Sequence, residues 1–207
     1  MQREADQSRI ILDILESVDR DGARTQRSRA SEVGIALGLI NAYLKFCIRK
    51  GYLKARKISA RSYQYMLTPK GFAEKSRLAL SRLSDSLDFV RGARSEYAAA
   101  FAEAEARKWT SMVLAGGSML AEICAVCAME RGIRIAAIVD PDCKASRMLG
   151  VAVYRDFSSV KEAFDGAMIA ELHDPGRALA GAEAALGTER VLIPLFLRAG
   201  LPRREAA

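Results

Sequence analysis

Leu37-Gly38-Leu39-Ile40-Asn41-Ala42-Tyr43-Leu44-Lys45-Phe46-Cys47-Ile48-Arg49-Lys50-Gly51-Tyr52-Leu53-Lys54 decides how the N-terminal third of this chain is read. Ile40, Leu44 and Cys47 stand at i, i+4 and i+7, so residues 37–50 read as a helix with one apolar face. Gly51 occupies the place of a left-handed C-terminal cap, and Tyr52-Leu53-Lys54 changes to strand character. Working upstream, Ile35-Ala36 form a turn after Gly34, which ends a short helix opening at or just before Thr25. Before it, Ile10, Ile11, Ile14, Leu15 and Val18 recur at helical spacing, and Asp21-Gly22 closes a first helix over 8–19. Two helices joined at a glycine-containing turn predict a helix-turn-helix. Working downstream, a basic loop over 55–62 separates the first strand from Tyr63-Gln64-Tyr65-Met66-Leu67. Two strands around a basic tip form a wing. Thr68 then caps a new helix with Pro69 at its first position.

The charge falls on the same segment. The 207 residues carry a formal net charge of +7, and residues 1–70 alone hold 14 Lys/Arg against 7 Asp/Glu. Between Arg24 and Lys70 there are 11 basic residues and one acid, Glu32. A surface so biased is suited to phosphate. With Ile40, Leu44 and Cys47 inward, Gly38, Asn41, Ala42 and Lys45 face outward. Asn41 has the donor-acceptor pair that reads an adenine edge, and the small Gly38 and Ala42 let a helix approach the groove. Lys45 and Arg49 suit phosphates or a guanine. Thr25, Gln26 and Arg27 lie at a helix N-terminus, and Arg56, Lys57 and Arg61 are expected in the wing near the backbone or minor groove. The partner expected is double-stranded DNA.

The segment 34–45, Lys50-Gly51-Tyr52-Leu53 and Leu67-Thr68-Pro69-Lys70-Gly71 together resemble the MarR family of bacterial winged-helix regulators, in the branch associated with exopolysaccharide genes. The resemblance covers about residues 8–80. It implies a transcription regulator that binds DNA.

Residues 72–108 contain no proline, and Leu80, Leu83, Leu87, Val90, Arg94, Tyr97, Phe101 and Ala104 alternate steps of three and four. That is a heptad seam, interrupted by Gly92, where a helix is expected to bend or divide. Two readings stay open: a dimerisation helix, or a helix lying along its own C-terminal domain.

From Thr110 the period changes. Short apolar runs at 111–115, 133–139, 151–154, 167–170 and 191–195 alternate with helical stretches at 119–131, 158–164 and 175–186. This predicts a small parallel sheet covered on both faces, ordered 3-2-1-4-5, with a ligand crevice at the carboxyl ends of its strands. Gly116-Gly117-Ser118-Met119-Leu120-Ala121 stands where a G-x-G-x-x-G/A loop would, with Ser118 in place of the middle glycine. Asp140, 24 residues after Gly116, has the spacing of a ribose-binding acid. The run from Ala115 to Glu122, Val139-Asp140-Pro141-Asp142 and Gly150-Val151-Ala152-Val153 together resemble the small Rossmann-like domains of polysaccharide-biosynthesis proteins and sugar-nucleotide enzymes. The resemblance implies effector contacts at Gly116, Gly117, Ser118 and Asp140, to a nucleotide or sugar nucleotide. A domain that only oligomerises is the competing reading.

Other features read as structural. Cys124 and Cys127 are spaced C-x-x-C but fall in an apolar helix with no second pair for zinc. Cys47 reads as core, and His173 has no nucleophile or metal partner in the pattern. No apolar run approaches the roughly 20 residues of a membrane span, and the charged start lacks the apolar centre of a signal peptide. The fold expected is an α+β winged helix-turn-helix over 1–71, a linking helix over 72–108 and an α/β Rossmann-like domain with a parallel sheet over 109–207. The function expected is a cytoplasmic, dimeric DNA-binding transcription regulator sensing a phosphate-bearing metabolite, with no catalytic or metal site. The alternatives are a sugar-nucleotide oxidoreductase fused to a DNA-binding domain and an architectural DNA-binding dimer without a ligand.

Overall fold

The computed structural model describes residues 2–59 and 62–199. The chain divides into two compact units, Met1–Leu87 and Asp88–Ala207.

The N-terminal unit opens with α1 (Gln2–Arg20), α2 (Gln26–Val33) and α3 (Leu37–Arg49). Ile11, Ile14, Leu15 and Val18 of α1 are buried with Ala30, Ile40, Leu44 and Cys47, so the periodic positions of all three helices close one core. Thr25 caps α2 by accepting from Ser28 N at 3.2 Å, and Gly34 ends it at φ 73°. Two antiparallel strands follow, β1 (Leu53–Ser59) and β2 (Ser62–Leu67), with Leu53 opposite Leu67 and Arg56 opposite Gln64. This is a helix-turn-helix with a wing. The strands are longer than the sequence pattern predicts, so Arg56 and Lys57 lie within β1 rather than in a loop. Arg61 lies outside the described residues. Tyr65, buried in β2, ties the wing to the helices: its N–H donates to Gly22 O at 2.9 Å and its hydroxyl meets Gln26 Nε2 at 2.6 Å.

Next comes α4 (Pro69–Ala106), 38 residues or about 57 Å of helix. Thr68 starts it, accepting from Gly71 N at 2.9 Å while donating to Gly51 O at 2.7 Å. Gly71 lies so close to the chain at Tyr52 that an added Cβ would sit 2.0 Å from its carbonyl oxygen. The helix runs unbroken through Gly92, where the sequence predicts a bend or division. Leu78 is buried in the N-terminal core, whereas Ala93, Tyr97, Phe101 and Ala104 are buried in the C-terminal one. Residues 79–92 are exposed throughout.

The C-terminal unit continues with β3 (Ser111–Ala115), α5 (Met119–Glu130), β4 (Arg134–Val139), β5 (Arg147–Met148), β6 (Val151–Tyr154), β7 (Gly166–Ile169), α6 (Pro175–Leu186), β8 (Val191–Leu192) and α7 (Leu195–Arg198). The sheet order is β5-β6-β4-β3-β7-β8. All pairs are parallel except the short edge strand β5. Taken in chain order, the parallel strands stand 3-2-1-4-5, the doubly wound arrangement of a Rossmann-like fold. Met112, Leu114 and Ile138 pack with Tyr97 and Phe101 of α4 and Leu120 and Cys124 of α5. Val113, Ala137 and Val139 belong to a second cluster, with Tyr154, Phe157, Val160 and Phe164. One expectation fails here. Residues 158–164 are not an α-helix but a single 3₁₀ turn, Phe157–Ser159, followed by irregular chain. Asp156 Oδ1 accepts from Ser159 N and from the hydroxyls of Ser158 and Ser159, so local side-chain bonds compete with helix propagation.

Candidate functional site

The helix-turn-helix presents its basic residues outward for a local reason. Two of the cations are used internally: Arg24 pairs with Glu32 at 2.8 Å, and Arg29 is fully buried. The exposed Arg27, Lys45, Arg49, Arg56 and Lys57 form no ion pair among the described residues. Arg49 stacks over Phe46, its guanidinium 5.7 Å from the ring centroid, which restrains it on the outer face of α3. Gly38 and Ala42 are exposed, and a Cβ built on Gly38 meets nothing within 4 Å.

Asn41 is half-buried rather than fully outward. Its Oδ1 is buried without a hydrogen-bond partner among the described residues, in a cleft of about 330 Å³ lined by Gln26, Lys45, Ala55, Tyr63 and Tyr65. The cleft lies between α3 and the wing. Gln26, Asn41 and Lys45 are thus brought to one cleft, Tyr63 joins them from β2, and Thr25 is the N-cap residue next to Gln26. Tyr63, 44% exposed, is the residue the sequence pattern passes over; its signal is an aromatic beside a basic tip, opposite Lys57 in register.

In the C-terminal unit a cavity of about 360 Å³ opens at the carboxyl ends of β3, β4 and β6. Gly116 and Asp140 line it, whereas Gly117 and Ser118 do not. The glycine loop has its own structural reasons. Gly116, at φ +107°, packs against Glu171, whose backbone N would lie 2.8 Å from an added Cβ. Gly117 N donates to Asp140 Oδ2 at 2.9 Å. Ser118 Oγ caps α5, accepting from Leu120 N at 3.2 Å and donating to Ala170 O at 2.7 Å. Asp140 Oδ1 accepts from Asp142 N and Cys143 N, so both oxygens of the expected ribose acid are already bonded. Glu171, Asp156, Asp174 and Arg177 also line the cavity, and no spacing rule singled them out. Hydrogen bonds from Ser158 and Ser159 hold the Asp156 carboxyl below its usual range.

All four cysteines are free thiols. Cys124 and Cys127 face the core, where burial raises both pKa values, so neither is poised as a thiolate. His173 is 86% exposed at its side chain, beside Glu171 at 3.4 Å. Among the described residues, no single helix is long and apolar enough to cross a membrane.

Residues 7–54 match a family of winged helix-turn-helix DNA-binding domains. The N-terminal unit is therefore a winged helix-turn-helix domain by both sequence and structure. No curated protein matches the chain in sequence. Among solved structures, the crystal structure of a MarR family transcription regulator is similar at 24% identity and a TM-score of 0.36, over 42% of this chain and 56% of that one. PigF with SAH is similar at 14% identity and a TM-score of 0.32, over 81% of this chain and 63% of that one. The chain thus spans less than two thirds of the length of either structure.

Proposed function

We propose that the chain is a transcription regulator of MarR type, in which residues 1–71 bind double-stranded DNA and residues 109–207 hold a small effector. The observation that carries the DNA reading is the group of exposed, unpaired cations on α3 and the wing of a winged helix-turn-helix. Asn41 reads a base edge from α3, with Gly38 and Ala42 allowing close approach. Thr25, Gln26 and Arg27 position the backbone at the start of α2, Lys45 and Arg49 flank the groove, and Arg56 and Lys57 with Arg61 serve the wing.

The same reading makes α4 a dimerisation element, through residues 80–90. Leu80, Leu83, Leu87 and Val90 are 66%, 55%, 47% and 36% exposed at 3-4-3 spacing. Exposed apolar side chains so arranged along one helix suit an interface, while Arg82 pairs with Asp13 and Phe89 meets the Phe196 ring edge-on from other faces of the same stretch. The seam is shorter than its sequence pattern, because Tyr97, Phe101 and Ala104 are fully buried in the C-terminal core and Arg94 pairs with Glu130. Selection of bound duplexes from a random pool, followed by titration at two salt concentrations, tests the function. A recovered palindrome and an affinity that falls steeply with salt are expected; salt-independent binding, or no enrichment, would refute it.

A further inference from the structure

We infer that the cavity at the carboxyl ends of β3, β4 and β6 takes a ligand of nucleoside kind, neutral or cationic, and not one anchored by phosphate. The inference rests on the reading of residues 109–207 as the effector-holding part and names the chemistry of its ligand.

A doubly wound sheet ordinarily binds phosphate where a helix N-terminus aims free N–H groups into the crevice. Here the protein's own oxygens occupy several of those groups. The Gly117 N–H is taken by Asp140 Oδ2 at 2.9 Å, and Leu120 N by Ser118 Oγ at 3.2 Å. At the second helix, α6, Asp174 Oδ1 accepts from Arg177 N at 3.0 Å. Both helix starts beside the cavity therefore carry a carboxylate or hydroxyl where a phosphate oxygen would sit. A phosphate at the Gly117 N–H would have to displace Asp140 and then lie beside it, and two anions in a half-enclosed site repel.

The remaining charge points the same way. Asp140, Asp156, Glu171 and Asp174 line the cavity against two cations, Arg155 and Arg177. Arg177 is already engaged by Asp142 and lies 3.8 Å from Asp174. Glu171 is the acceptor best placed for a ligand. Its side chain is only 16% exposed, Oε1 accepts from His173 N at 2.7 Å, and Oε2 accepts no hydrogen bond among the described residues. The other walls are apolar, from Val139, Pro141, Phe157, Ala178 and Ala185. A cavity of about 360 Å³ is at the small end of ligand sites. A flat heterocycle against the apolar wall, with sugar hydroxyls donating to Glu171, satisfies size, charge and hydrogen bonding together.

The test is calorimetry and thermal shift on the full chain with adenosine and cytidine against AMP and CMP, for wild type and Glu171→Gln. At least one nucleoside is expected to bind about tenfold or more tightly than its monophosphate. Glu171→Gln should weaken that nucleoside by about tenfold, the scale of one hydrogen bond to a charged acceptor, without lowering the unliganded Tm. Equal or tighter binding of the monophosphates overturns the inference and leaves the effector reading standing. An unchanged nucleoside affinity in Glu171→Gln removes Glu171 as the acceptor and overturns it as well. No response to any of the four compounds overturns both the inference and the effector reading.

Discussion

Arg29 Nη1 donates to Ser17 Oγ at 2.7 Å, inside a core where neither residue has more than a few per cent of its surface exposed. The Ser17 hydroxyl in turn donates to Glu32 Oε2 at 2.7 Å, and Arg29 Nη2 donates to Asp21 O at 2.9 Å. The guanidinium also lies over the Tyr65 ring, 6.0 Å from its centroid. One buried cation therefore fixes α2 against α1, the turn after α1 and the wing. Ser17→Ala strands a buried donor and should cost about 1–3 kcal/mol. Arg29→Ala removes the whole hub and should cost about 3–5 kcal/mol. Urea unfolding followed by far-ultraviolet circular dichroism measures both.

Glu32 makes this network sensitive to acid. Its carboxyl is held below the usual range by the Ser17 hydroxyl first, then by Arg24 and Arg20. A carboxylate whose pKa is lower folded than unfolded stabilises the fold above its unfolded pKa. That contribution is lost as pH falls through the folded value. Wild type should therefore exceed Glu32→Gln in stability at pH 7, and the gap should close as the pH is taken below about 4. Because the ion pairs are partly solvated, the gap at pH 7 should be about 1 kcal/mol. A gap that stays constant from pH 7 to pH 3 contradicts the assignment.

On the DNA face the predictions separate reading from anchoring. Asn41→Ala should narrow the preference for the selected site over scrambled duplex by about 1–3 kcal/mol while leaving nonspecific affinity intact. Arg56→Ala and Lys57→Ala should weaken all sequences alike and each reduce the salt slope by about one. Fluorescence anisotropy on both duplexes at two salt concentrations distinguishes the two patterns. Tyr63→Ala should behave like the wing cations if the cleft beside Asn41 lies at the DNA, and should be neutral otherwise.

The elements were legible wherever periodicity and punctuation agreed. Ile40, Leu44 and Cys47 announce the buried face of α3, and the Gly51 turn and the Thr68-Pro69 start bracket the wing. The sheet order followed from the alternation of apolar runs with helices. Side-chain competition was not legible. Nothing in residues 158–164 shows that Asp156 will bond Ser158 and Ser159 and halt a helix. The packing around the Gly116-Gly117 loop was not legible either. Its glycines fit a phosphate loop by spacing, yet one is required by the approach of Glu171 and the other donates to Asp140. Spacing reports where a tight turn lies, and not which acceptor fills it. Gly116→Ala, which places a Cβ 2.6 Å from that of Glu171, should accordingly destabilise the C-terminal unit even without ligand, by at least 2 kcal/mol on the scale of about 1–3 for strained backbone. Hydrogen exchange of the β3 and β7 amides reads that loss locally.

The seam on α4 gives the last prediction, because its two halves should respond oppositely. Leu83 and Leu87 are about half exposed, whereas Tyr97 and Phe101 are fully buried, and the Tyr97 hydroxyl donates to Ile169 O at 3.0 Å. A sequence period of three and four cannot distinguish these cases, since a helix facing a second copy and one facing its own sheet show the same apolar stripe. Exposure does distinguish them. Leu83 and Leu87 belong to neither buried core, so with Leu83→Asp and Leu87→Asp each domain should keep most of its stability while the molecule sediments as a monomer. Affinity for a palindromic duplex should then fall by about two orders of magnitude or more, because the second half-site is no longer bound within one complex. Phe101→Ala should do the reverse. It opens a cavity in the C-terminal core at a cost of about 3–5 kcal/mol, and the folded protein should remain a dimer. Sedimentation velocity at micromolar concentration, with thermal unfolding of the same samples, compares the two. A wild-type monomer, or a Leu83→Asp, Leu87→Asp variant that still dimerises, would show that residues 80–90 do not join two copies.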